Sequence, residues 1–114
     1  MPHIVIDYSA GLETRHDMQA LCDALFAAMA ADPAIPDPTS LKIRARPHDF
    51  FRFGTEPQSF AHAELFLLAG RDDATKAGLT ATILRVMDQM LPDVGSLSVD
   101  VADMARATYA KRVL

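Results

Sequence analysis

Pro2 stands directly behind Met1. A proline in that place is small enough for the initiator methionine to be cut off, and the chain then begins with a secondary amine rather than an amide. A free α-amine titrates near about 7.7–8.0, and modest burial or nearby cations bring it into the range of a general base at neutral pH. A second group of residues bears on what such a base would act upon. Lys42, Arg44 and Arg46 alternate with Ile43 and Ala45, so in a strand all three cations share one face. Guanidinium forks match planar carboxylates, and Arg71 adds another at the end of an apolar run. Together these residues suit proton transfer on a small carboxylic acid. Each also has a plainer reading. Pro2 costs little as the first residue of a strand, and a cationic strand blunts edge-to-edge pairing.

The elements that must position these residues can be read from periodicity. Residues 3–8 (His3-Ile4-Val5-Ile6-Asp7-Tyr8) form a strand pattern that ends in a Ser9-Ala10-Gly11 turn. From Glu13 to Ala31 the residues Met18, Leu21, Cys22, Leu25, Phe26 and Met29 recur at helical spacing. Pro33, Pro36 and Pro38 then impose a loop. Leu41 to Phe53 reads as a strand interrupted by Pro47, followed by a turn at Gly54-Thr55-Glu56-Pro57. Phe60 to Ala69 is a near-continuous apolar run of the kind found in buried strands. Asp72 or Asp73 caps a second helix whose stripe is Leu79, Ile83, Val86, Met87, Met90 and Leu91, and Pro92 stops it. Leu97, Val99 and Val101 alternate with polar residues as a last strand, and the tail from Asp103 is read as a short helix or a docking arm.

The order is therefore β-α-β twice. It predicts an α+β fold in which a four-stranded sheet carries two helices on one face. One domain spans residues 1–114, with pseudo-repeat halves of about 1–55 and 56–114. The other face of the sheet calls for a partner, which predicts an oligomer.

Composition narrows the function classes. A net charge of −4 disfavours nucleic acid and anionic membranes as partners. Half the residues are hydrophobic, which argues against disorder. A single cysteine, Cys22, rules out a disulfide framework or a multi-cysteine metal site. No run reaches the roughly 20 apolar residues of a membrane span, and no secretory signal opens the chain, so a cytoplasmic protein is expected.

Three stretches carry a resemblance to a known family. Met1-Pro2-His3-Ile4-Val5-Ile6-Asp7-Tyr8-Ser9, Ile43-Arg44-Ala45-Arg46-Pro47-His48, and Phe60-Ala61-His62 with the later Ala69-Gly70-Arg71 resemble, in order and spacing, the 5-carboxymethyl-2-hydroxymuconate isomerases of the tautomerase superfamily. The resemblance covers residues 2 to about 92. It implies a homotrimer that isomerises an unsaturated hydroxy or oxo acid, in aromatic compound degradation, without a metal or organic cofactor. Pro2 would be the acid/base, and Arg44 and Arg71 would bind substrate oxygens. Arg46 matches a family position as well, and His3, His48 and His62 match as structural hydrogen-bond partners. Asp7 stands where the family more often has Glu, and the C-terminal region is short. The alternative from another class is a non-catalytic oligomeric module that binds a small carboxylate on the same scaffold.

Overall fold

The computed structural model describes residues 1–114. The chain runs β1 (His3–Ser9), α1 (Met18–Ala30), β2 (Lys42–His48), β3 (Phe60–Leu68), α2 (Asp73–Met90) and β4 (Ser96–Met104). The sheet order is β2-β1-β3-β4. β1 pairs parallel with β2 and β3 parallel with β4, while the central pair β1–β3 is antiparallel. Each helix is thus the crossover that a parallel strand pair requires.

Alternation along the strands decides which face the helices cover. Ile4, Ile6 and Tyr8 of β1 and Ala61, Ala63, Leu65 and Leu67 of β3 point into a single core. Leu21, Leu25 and Met29 of α1 and Leu79, Ile83 and Met87 of α2 close it from above. Burying each of the larger side chains stabilises the fold by about 1.5–3 kcal/mol. The opposite face mixes charged and polar residues (His3, Asp7, Arg44, Arg46, His62, Glu64 and Asp100) with apolar ones such as Val5, Phe66 and Leu68.

Several boundaries differ from the sequence expectation. α1 begins at Met18 rather than Glu13, because Gly11 turns with φ 105° and Asp17 caps the helix by accepting from the Ala20 amide. Leu12–Thr14 forms a separate 3-10 turn. The expected strand to Phe53 stops at His48. Beyond it Phe51 and Phe53 gather around Phe60, and the Gln58 amide closes the loop on both backbone groups of Phe53. From Ala61 on, β3 is buried on alternate residues only, since one face of the sheet has no cover within the chain. β4 extends past Val101 to Met104, paired through to Leu68. The tail does not form a helix. It turns at Ala105 and returns to the amino terminus, where the Tyr109 hydroxyl meets His3 Nε2 at 2.9 Å.

Candidate active site

Strand directions explain why residues distant in sequence meet. β1 and β2 start at the same end of the sheet, and β3 and β4 finish there. Everything just before β1 and β2, or just after β3 and β4, therefore converges on that end. There a pocket of about 210 Å³ is lined by Met1, Pro2, Ile35, Pro36, Asp37, Ser40, Leu68, Arg71 and Arg106. Pro2 is buried, and its carbonyl accepts from the Lys42 amide at 3.0 Å, which extends the β1–β2 ladder by one residue.

Arg71 follows the end of β3 through Gly70, whose φ of +135° is a conformation that only glycine adopts without strain. Its Nε and Nη2 both donate to the Ala34 carbonyl, at 3.3 and 3.1 Å. That leaves the Nη1–Nη2 end of the guanidinium free. Arg106 Nε donates to the Ala69 carbonyl at 2.8 Å, with the same consequence. Neither arginine has a carboxylate partner. Asp37 is the one acid on the lining, and its Oδ1 accepts from both the amide and the hydroxyl of Thr39.

The field in this pocket is cationic. Burial lowers the affinity of the Met1 amine for its proton, and Arg71, Lys111, Arg106 and Lys42 lower it further. All of these influences favour a neutral amine at this end of the sheet.

Arg44 and Arg46 lie elsewhere. They sit opposite Val5 and Asp7 on the open face and do not line the Pro2 pocket of their own chain. Arg46 Nε and His48 Nε2 both hydrogen-bond Asp7 Oδ1. Desolvation pushes the Asp7 carboxyl up, but these hydrogen bonds outweigh it and hold the group below the usual carboxylate range. Arg44 has no acidic partner, and its Nη1 meets His3 Nδ1 at 3.2 Å. Because a guanidinium can only donate, His3 Nδ1 must accept, so His3 Nε2–H donates to Tyr109. Burial and then Arg44 lower the His3 pKa, in keeping with this neutral tautomer.

Two other features are not competitors. The largest surface depression, about 620 Å³ between α2 and β4, contains Arg85 and Asp88 but no histidine, cysteine or free amine. Cys22 is half-buried, and burial raises its thiol pKa, which makes it a poor nucleophile. No group of three or more His, Cys, Asp or Glu side chains converges in a way that could hold a metal, and no helix is long and apolar enough to cross a membrane.

Sequence reading singled out Pro2 and Arg71, which share the pocket, but not Arg106 or Asp37. The signal for Arg106 was the repeat itself. Leu68 and Met104 are register partners, so arginines that closely follow each strand emerge side by side.

The sequence model of the 5-carboxymethyl-2-hydroxymuconate isomerase family matches residues 2–112. No curated protein sequence matches the chain. Among solved structures, a 5-carboxymethyl-2-hydroxymuconate isomerase from Deinococcus radiodurans superposes with TM-score 0.82 at 22% identity, over 97% of this chain and 88% of that one. A 5-carboxymethyl-2-hydroxymuconate delta-isomerase gives TM-score 0.78 at 22% identity, over 99% and 88%. A fused 4-OT described as a symmetric trimer gives 0.66 at 18%, over 96% and 93%. At these identities the superpositions establish the fold, and the match along nearly the whole chain establishes the kinship. The chain belongs to the 5-carboxymethyl-2-hydroxymuconate isomerase family, and its function is of the isomerase or tautomerase type.

Proposed function

We propose that the protein is a cofactor-independent keto–enol tautomerase. Its substrate is a conjugated hydroxy or oxo carboxylic acid such as 5-carboxymethyl-2-hydroxymuconate, and the Pro2 amine is its acid/base once Met1 has been removed. The observation that supports the reading is the burial of Pro2 in a pocket lined by Arg71 and Arg106, cations that lower the proton affinity of the adjoining Met1 amine. The amine takes the proton from the enol oxygen, and a proton is delivered to a carbon of the conjugated chain, so the reaction balances without any co-reactant. Arg71 holds substrate oxygens and stabilises the dienolate that forms in between. Arginine stays protonated and cannot take the base's place.

Arg44 keeps its expected role as a substrate ligand only if a neighbouring subunit presents it, because it does not line the pocket of its own chain. A homotrimer, as in the fused 4-OT, provides such a neighbour.

The test compares protein with a free Pro2 amine, verified by intact mass, with protein that retains Met1 or has been alkylated by 3-bromopyruvate. Ketonisation of a 2-hydroxymuconate dienol should require the free amine. Full activity with the nitrogen demonstrably blocked would refute Pro2 as the base. Carboxylate binding without turnover in the free-amine form would leave the non-catalytic module as the better account.

A further inference from the structure

Arg106 is the pocket's unexplained cation. It belongs to the C-terminal arm, beyond the last strand, and its Nη2 lies near the point where a side chain at Gly70 would begin, 3.7 Å away. That contact sets it beside the residue preceding Arg71. Its Nε is tied to the Ala69 carbonyl, while the arm is pinned further along by the Tyr109–His3 hydrogen bond. The side chain is therefore oriented by the fold and not merely tethered to it. Two guanidiniums with free ends then face one small cavity whose only acid, Asp37, is held on Oδ1 by Thr39 and forms an ion pair with neither arginine. Two like charges in one pocket repel unless an anion lies between or beside them, and a single carboxylate neutralises only one.

We propose that Arg106 is a second carboxylate-binding residue of the Pro2 pocket and that, with Arg71, it makes the site selective for substrates bearing two carboxylates. The C-terminal arm is then a specificity element. The inference rests on the Pro2 pocket being the substrate site, and the experiment separates the two claims.

The probes are trans,trans-muconate and sorbate, which share one conjugated six-carbon chain and differ by one carboxylate. Neither has an enol to ketonise, so calorimetric titration reads binding alone. Arg106→Ala and Arg106→Gln should weaken muconate binding by about ten- to hundred-fold, as expected for a charge-assisted hydrogen bond, while sorbate binding changes little. The glutamine variant keeps a donor for the Ala69 carbonyl but loses the charge, so it separates recognition from support of the arm. Arg106→Lys should recover part of the preference. In parallel, kcat/KM for 2-hydroxymuconate should fall in Arg106→Gln mainly through KM, with kcat/KM for phenylenolpyruvate, an enol with one carboxylate, nearly unchanged. Equal weakening of muconate and sorbate would make Arg106 a structural residue and overturn the proposal. So would a wild type without preference for muconate. Absence of turnover with the binding preference intact would overturn the tautomerase reading and leave this one standing.

Discussion

Proton affinity at the amino terminus is the residue-scale property on which the proposed chemistry turns. Lys42, Arg71 and the C-terminal arm's Arg106 and Lys111 come from three separate parts of the chain, and all disfavour a charged amine at Met1. Asp37 alone opposes them in the pocket. Activity of the processed protein should therefore rise with pH through an ionisation below the ordinary α-amine value. Arg71→Ala removes one cation, so the protonated amine becomes easier to form and its pKa rises. The acid limb of the kcat/KM profile should move to higher pH in that variant, beside a loss of about ten- to hundred-fold at the plateau. An unmoved limb would mean that Arg71 does not act on the base.

At the scale of elements, loops and strand pairs are fixed by contacts that single substitutions can probe. A side-chain carbon at Gly95 would clash with the Pro57 carbonyl oxygen, so the turn into β4 must move to accept one. Gly95→Ala should cost about 1–3 kcal/mol, read as a lower urea midpoint. The Arg46–Asp7–His48 cluster ties β1 to β2 on the open face. Asp7 has a lower pKa folded than unfolded, so its contribution to stability is complete above the unfolded value and is lost as pH falls through the folded one. Asp7→Asn should be less stable than wild type at neutral pH, and the gap should close in acid below about pH 4. Arg46 is largely exposed, which keeps the gap small. A gap that persists in acid would assign the effect to packing instead.

At the scale of the whole molecule, the proposed function gives Arg44 a role only in an assembly. The proposed trimer predicts a mass near three chains by light scattering, and a monomer at micromolar concentration would refute it. Assembly also makes a prediction that no single chain can. Arg44→Ala subunits keep a free Pro2, and subunits that retain Met1 keep Arg44, yet each homotrimer should be nearly inactive. Refolding the two together creates sites with Pro2 from one subunit and Arg44 from the next. Activity should partly return on mixing, and its failure to return would place Arg44 outside the reacting site.

Much of this was legible in the residues. Strand and helix order, a cap at Asp72 or Asp73 (Asp72 in the fold), the cationic alternation of β2 and the place of Pro2 ahead of the first strand follow from local periodicity and from residue types. The start of α1 was not, because no apolar residue lies between Leu12 and Met18 to mark it, and Gly11 and Asp17 decide where the backbone enters the helix. Nor was the true end of β2, since Phe51 and Phe53 carry strand-like side chains that gather in a loop around Phe60. The site divides in the same way. Pro2 and Arg71 could be named from sequence, but that they share a pocket, that Arg106 joins them and that Arg44 does not depends on strand direction. Parallel and antiparallel pairings bring together strand ends, not neighbours in sequence, and only the folded sheet determines which ends meet.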